Sequence, residues 1–218
     1  AFHKNPTGGD RAFYKLLEQS SLHTHTENGD LTSMIVDTHF QVNFQGQTVP
    51  MSGIGYVASY PEFRGNGAAS QLMTDILREN YQNETFFSYL APFSYGFYSK
   101  FGYSYVFNQK HYEINAVDFP VGAKTDLTVK RLAYATAQVD LACVHAQAVG
   151  NGSLVRGDFE WPYYYDYKKQ PHFAVIYDQT EPRGYVIYDF DGMNFVIQEL
   201  ITLDDQAKNA AYRFIASH

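Results

Sequence analysis

Between Gly55 and Asn80 the chain passes from a β-like run, through a basic turn, into an amphipathic helix. The turn is Arg64-Gly65-Asn66-Gly67, and the small residues Ala68, Ala69 and Ser70 follow it. The first N–H groups of a helix lack an intrahelical partner, and the helix dipole puts partial positive charge on them. Gly65 and Gly67 let a ligand come close to that backbone, and Arg64 adds a fixed cation, so the turn is built for a phosphate. A hydrogen bond to a charged group contributes about 1.5–3 kcal/mol. Three or four of them hold a pyrophosphate. In the second half of the chain the matching place is Leu203-Asp204-Asp205-Gln206. An aspartate there caps the helix from within and repels a phosphate. Only the first half is therefore expected to bind a phosphorylated ligand. The spacing is neither a dinucleotide fingerprint, whose third glycine is missing, nor a Walker loop. By itself it also fits a plain strand-to-helix turn.

Composition narrows the partners. The 218 residues include 45% hydrophobic and 18% charged residues, enough for a sizeable core and unlike a disordered chain. With 19 Tyr and 17 Phe, sheet-rich packing and aromatic-lined clefts are favoured. A formal net charge of −7 argues against general nucleic-acid binding and leans toward cationic small molecules or amines. Cys143 stands alone, so no intrachain disulfide forms, and a reducing, cytoplasmic compartment fits. No apolar run reaches the roughly 20 residues that cross a bilayer. The chain opens on Ala1 rather than Met, which is how an excerpt of something longer would begin.

The elements that must position the turn follow from periodicity. Asp10 to Ser20 carries apolar residues at helical spacing. "LTSMIVDT", "FQVNF" and "MSGIGYVAS" are expected as three antiparallel strands, with a turn at Gln45-Gly46. Ala69, Leu72, Met73, Ile76 and Leu77 define the helix after the glycine turn. "FFSYLAPF" is expected as a buried strand, "YGFYSKFG" as helical turns stopped by Gly102, and "YSYVFNQKHYEI" as another strand. After a composition shift near Asn115 come a strand in "LTVKRLAY", a helix in "AQVDLACVHAQAVG" and an aromatic helical segment around Pro162. Three strands follow, with turns at Glu181-Pro182-Arg183-Gly184 and Asp191-Gly192, and a last helix carries Ala207, Ala210, Ala211, Phe214 and Ile215. The two halves share this order, as an internal duplication would.

Within the turn, Arg64, Gly67 and Ala69 fit Arg-x-x-Gly-x-Ala, after "YVAS" and before a long helix. Further on stands Tyr98-Ser99-Lys100-Phe101-Gly102-Tyr103, a Tyr-x-x-Phe-Gly-Tyr pattern. Together these resemble the GNAT superfamily of acyl-coenzyme A transferases. With a second, loop-less half they resemble its enhanced intracellular survival (Eis) family, bacterial N-acetyltransferases with two such domains and a sterol-carrier-like third. The likeness runs along the whole chain in element order and is specific from about Gly53 to Tyr103.

The resemblance implies an α+β chain of mixed sheets in tandem GNAT folds, the second degenerate. Residues 1–115 would be the acetyl-CoA-binding catalytic domain, its first strand missing, and 116–218 the second domain. Val57, Ala58 and Ser59 would line the pantetheine arm through backbone groups. Arg64, Gly65, Asn66, Gly67, Ala68, Ala69 and Ser70 would cradle the pyrophosphate. Phe93 and Ser94 would lie near the thioester, and Tyr98 would match the family's tyrosine proton donor. The implied cosubstrate is acetyl-CoA, with no metal. The implied acceptor is an amine, on an aminoglycoside-like polyamine or a protein lysine, and the implied assembly is a homo-oligomer, often a hexamer in the family. The family's general base is a carboxyl group at the natural chain end, a place His218 is not expected to fill.

That chemistry is physically reasonable. An amine of pKa near 10.4 is neutral in only about one molecule in 2,500 at pH 7, so its proton needs help to leave. Full proton transfer from tyrosine to a thiolate of pKa near 8.5 is uphill by about 2 kcal/mol, but a hydrogen bond to the developing charge needs no full transfer. A second reading, a non-catalytic acyl-coenzyme A-binding or assembly module, uses the same turn without turnover. His23-Thr24-His25 is expected as solvated loop rather than half a metal site, Cys143 as core, and Trp161–Tyr167 either as a wall of an acceptor cleft or as packing between the halves.

Overall fold

The computed structural model describes residues 9–166 and 171–218. The chain forms two compact units. The first takes Ala1–Gln109 together with Asn151–Val155, and the second takes Lys110–Gly150 and Arg156–His218.

In the first unit a helix α1 (Gly9–Leu17) leads into β1 (Ser20–Glu27), β2 (Asp30–Phe44) and β3 (Gln47–Ser59). Helix α2 (Ala68–Gln82), strand β4 (Phe87–Leu90) and the short helix α3 (Tyr95–Tyr98) follow. The sheet order is β1-β2-β3-β4, antiparallel except for the parallel β3–β4 pair, as a strand–helix–strand crossover requires. Helix α2 lays Leu72, Met73 and Ile76 on Ile35 and Ile54 of the sheet, which is the face its apolar spacing dictates. Gln45 and Gly46 both adopt positive φ (52° and 78°) and close the β2–β3 hairpin.

The second unit has β5 (Thr128–Leu132), α4 (Tyr134–Ala148), α5 (Glu160–Tyr165), β6 (His172–Asp178), β7 (Glu181–Asp191), β8 (Asn194–Thr202) and α6 (Asp205–Ala216). Its sheet runs β5-β6-β7-β8, all antiparallel. Alternate residues of β6 and β7 face opposite ways. Phe173, Val175, Tyr185 and Ile187 meet α4 and α5, while Ala174, Ile176, Val186 and Tyr188 meet α6. Both faces are covered, which is why β6 and β7 are apolar in a continuous run rather than alternating.

Several expectations are corrected. "LTSMIVDT" and "FQVNF" form one 15-residue strand, because no turn residue interrupts the pattern between Thr38 and Phe40. The His23–His25 stretch is not loop but the middle of β1, an edge strand with no apolar face to betray it, paired with β2 along its length. Strand β4 is half-buried rather than buried. The "YSYVFNQKHYEI" segment forms no strand: no described strand pairs with it, and Tyr105, Val106 and Phe107 are exposed. Its β propensity has no pleated neighbour to act on. The β6–β7 turn lies at Gln179-Thr180. Pro182 belongs to β7, beside a bulge, where a missing N–H is tolerated. Cys143 is exposed, off the α4 face that buries Ala137, Leu141 and Val144. Trp161 and Tyr165 are core residues of the second unit, with Arg156 stacked over the Trp161 ring at 5.0 Å; Tyr167 lies outside the described residues.

Where 151–155 goes is a finding of the structure. Beyond Thr38 the outer half of β2 has no β1 residue opposite it. The segment fills that edge: Asn43 N–H donates to Ser153 O at 2.9 Å, Gly152 N–H to Asn43 O at 2.7 Å, and Val155 N–H to Gln41 O at 2.9 Å. Residues 110–115, placed by the sequence on the first side of a division at 115, go with the second unit.

Candidate active site

Three features of the first unit converge on the start of α2. The first is the turn. Gly65 and Gly67 have φ of +88° and +87°, a region that side chains other than glycine's rarely occupy. A Cβ built at either would meet nothing within 4 Å. The protein itself therefore does not need these positions small; the backbone conformation and the open space in front of it do. Gly67 is the N-cap and has no side chain of its own to bond the helix start. Asn66 Oδ1 accepts from Ala68 N–H at 3.1 Å. The N–H groups of Ala69 and Ser70 have no partner among the described residues. Arg64 is exposed, and no acidic side chain among the described residues pairs with it.

The second feature is a split between strands. Parallel pairing of β3 with β4 covers Met51 to Ile54 and stops at Ile54–Leu90. From Gly55 to Ser59 that edge of β3 has no partner strand among the described residues. On its other side the register to β2 slips: Val36 faces Gly55 but Met34 faces Ala58, so Tyr56 and Val57 bulge opposite one residue. Tyr56 takes φ +50° at the bulge, an uncommon conformation for a bulky residue. Past this bulge Val57, Ala58 and Ser59 complete β3 with no β4 residue opposite them. Ser59 Oγ is hydrogen-bonded with Ser33 Oγ at 2.7 Å, which ties the end of β3 to β2.

The third feature is Tyr98, the last residue of α3 and 3% exposed. It joins the cluster of Ile35, Ile54, Leu72 and Met73, against which Val57 and Leu90, the two sides of the gap, also pack. Its ring meets Phe93 (5.3 Å between centroids), Phe97 (5.0 Å) and Tyr103 (6.1 Å) edge-on. Its hydroxyl has no hydrogen-bond partner among the described residues. Burial, and secondarily Tyr103, push its pKa up, so the phenol stays protonated at neutral pH. Gly102 at φ +88° ends the helical turns and sends the chain back toward Tyr103. Phe93 is largely exposed; Ser94 is the N-cap of α3, and its carbonyl accepts from Phe97 and Tyr98 N–H at 3.2 and 3.3 Å. The structure thus brings Val57 and Tyr98 together against Leu72 and Met73 of α2, the helix that the 64–70 turn opens, while Ser94 acts as a backbone support.

A polar group that the motifs did not single out lies beneath α2. Asp37 is 5% exposed and accepts from Ser52 Oγ at 2.7 Å. Its pKa is raised by desolvation, an effect opposed by the Ser52 bond and by His39 and His23. Ser88, the β4 partner of Ser52 in register, is hydrogen-bonded to the Tyr103 hydroxyl. The signal in the sequence was a lone carboxylate inside an apolar strand, "MIVDT". The two β1 histidines go separate ways. His25 Nδ1 meets Thr32 Oγ1 at 2.7 Å and His23 Nε2 lies 3.8 Å from Glu79. Among the described residues no three His, Cys, Asp or Glu side chains are placed to hold a metal, and no helix is long and apolar enough to cross a membrane.

In the second unit the matching helix start is closed. Asp204 Oδ1 accepts from Ala207 N–H at 2.8 Å, and Arg183 holds the other oxygen at 2.7 Å.

Comparison with known proteins agrees with this asymmetric pair. Residues 1–106 and residues 152–218 each match an "Acetyltransferase (GNAT) domain" family. A probable N-acyltransferase of Enterococcus faecalis V583, solved as a conserved protein of unknown function, is 36% identical with a TM-score of 0.92, over 95% of this chain and 54% of its own. A GCN5-related N-acetyltransferase of Anabaena variabilis (21% identity, TM-score 0.77) and Eis1 of Mycobacterium abscessus (19%, 0.74) share the fold. These cover 96% and 94% of this chain and 55% of each relative. The chain thus spans about half the length of the solved relatives it matches. No curated protein matches it. Two matched domains, the split strands and the open helix start lead to one conclusion: the chain belongs to the GNAT acetyltransferases and carries two such domains in tandem.

Proposed function

We propose that the first unit transfers an acetyl group from acetyl-CoA directly to a primary amine, on an aminoglycoside-like polyamine or a lysine. The observation that carries this reading is the end of β3–β4 pairing at Ile54–Leu90, where Val57, Leu90 and Tyr98 pack with Leu72 and Met73 of α2, the helix that Gly67 opens. The residues fit the cosubstrate. Open peptide N–H groups of Ala69 and Ser70, with Arg64 beside them, suit a diphosphate, and the free edge of β3 at Val57–Ser59 suits an extended amide-bearing arm. Acetyl-CoA supplies the activated acyl group. Tyr98 donates a hydrogen bond to the departing sulfur, and its raised pKa keeps that proton in place until charge develops. Phe93 and Phe97 exclude water from the phenol.

An Eis-like specialisation, a cytoplasmic location and assembly into a homo-oligomer, a hexamer by family analogy, belong to the same proposal. They are supported by the sequence likeness and by the lone Cys143. The test is an acceptor screen on the full-length protein, following thiol release from acetyl-CoA with polyamines, aminoglycosides and lysine peptides. Tyr98→Phe is expected to lower kcat about a hundredfold with the best acceptor. An unchanged kcat removes Tyr98 from its role. Stabilisation by coenzyme A without turnover of any amine would favour the binding-module reading instead.

A further inference from the structure

We propose that the partly buried seam of Asp37, Ser52, Ser88 and Tyr103 positions the Tyr98 phenol, with Tyr103 as the positioning residue and Asp37 as the anchor of the seam. The inference rests on the reading of Tyr98 as the proton donor and adds residues to it. Three aromatic rings bound Tyr98: Phe93, Phe97 and Tyr103. Phe93 is 72% exposed and no phenylalanine can be tethered by a hydrogen bond, so two of the three walls are held by packing alone. Tyr103 differs. Its ring contacts Tyr98, and its hydroxyl reaches under α2 to Ser88.

A second hydrogen-bonded pair, Ser52 with Asp37, lies beside the first across the sheet, with register and not a hydrogen bond linking the two. Ser88 and Ser52 are register partners on the parallel strands β4 and β3, and parallel partners carry their side chains on one face. Ser52 donates to Asp37, which stands on β2 opposite Ile54. The carboxylate acts electrostatically on Tyr103 as well. The groups that face Asp37 are Ser52 on β3, His39 on its own strand, His23 on β1, Glu79 on α2, and Tyr103. A carboxylate and three hydroxyls beneath an otherwise apolar helix are an expensive way to fill space, since alkyl groups of the same volume would cost no desolvation. What two hydrogen bonds supply that alkyl groups do not is a fixed direction. Here the direction is that of the one tethered wall of Tyr98, and a misplacement of the donor by about 1 Å is enough to cost on the order of a hundredfold in rate.

The experiment uses the full-length protein labelled with 13Cζ-tyrosine, with Tyr98 and Tyr103 assigned by Tyr98→Phe and Tyr103→Phe. Ser88→Ala and Asp37→Asn lie away from the Tyr98 ring, and both are expected to shift or broaden its resonance. With acetyl-CoA and spermidine, Tyr103→Phe is expected to lower kcat about tenfold and leave the KM for acetyl-CoA unchanged. In a Tyr98→Phe background it is expected to cost nothing further, because it acts through Tyr98. A Tyr98 resonance indifferent to both Ser88→Ala and Asp37→Asn overturns the inference, and so does a Tyr103→Phe loss that adds in full to that of Tyr98→Phe. Failure of the broader reading looks different: Tyr98→Phe is then harmless to turnover, while the resonances still report whether the seam holds the ring.

Discussion

The two units start a helix after the last antiparallel strand of their sheets, and they finish that start in opposite ways. In the first, Gly67 is the N-cap of α2 at φ +87°, with open space where a side chain would be. In the second, Asp204 is the N-cap of α6 in extended conformation, and its carboxylate already holds Ala207 N–H. A helix start has a fixed number of donors to satisfy. Spending them on an aspartate stabilises the unit that keeps it; leaving them open costs that stability and creates a place for an anion.

The comparison can be broken most severely at Gly67. Gly67→Val forces a β-branched residue into the left-handed region and puts a side chain in front of the α2 donors. Coenzyme A binding, followed by calorimetry, is expected to disappear, while the strain costs the fold about 1–2 kcal/mol. The reciprocal change, Asp204→Gly, opens the α6 start and releases Arg183, but it leaves Asp205 in the first turn to repel a phosphate. It is expected to create no coenzyme A binding. A measurable affinity there would mean that the helix start alone is sufficient.

Much of this asymmetry was legible in the chain. Glycine at 65 and 67 against aspartate at 204 needed only the chemistry of helix starts, and the helices after them showed in their apolar spacing. The gap was not legible. It depends on where β3 stops pairing with β4 and on the bulge at Tyr56–Val57, and no residue type announces a register slip. Strand β1 stayed hidden because "SSLHTHTE" is an edge strand with no apolar face, so its pairing with β2 is a matter of backbone rather than burial. The opposite error fell on "YSYVFNQKHYEI", where aromatic and β-branched residues promised a strand that no described neighbour completes. Asp37 was visible as a charge in an apolar run, but only the sheet register sets it beside Ser52.

At the capped helix the expected effect is smaller. Asp204→Ala removes an N-cap and is expected to destabilise the protein by about 1 kcal/mol at neutral pH, read by urea denaturation. The folded carboxyl is held below its usual pKa, by the Ala207 N–H first and Arg183 second. A depressed pKa gives stability that is present above the unfolded pKa and lost as pH falls through the folded one. The difference between wild type and Asp204→Ala is thus expected to shrink in acid. Arg183→Ala, which leaves the cap bond intact, is expected to cost less.

Asp37 carries the opposite sign and the smallest effect. Desolvation raises its folded pKa, so its ionisation is a burden on the folded state. The associated stability is full below the unfolded pKa and is lost as pH rises through the folded one. Asp37→Asn keeps the shape and an acceptor for Ser52 but cannot ionise. Its melting temperature relative to wild type is therefore expected to rise as the pH is taken from 4 to 8, with the two proteins nearest in acid. This sign is informative because the same substitution is expected to disturb Tyr98. A variant that is more stable at neutral pH and yet has a displaced Tyr98 resonance cannot owe that displacement to general loosening of the fold. If Asp37→Asn instead destabilises the protein equally at all pH values, the carboxylate is an ordinary structural acceptor, and the tension between burial and charge at the base of α2 is absent.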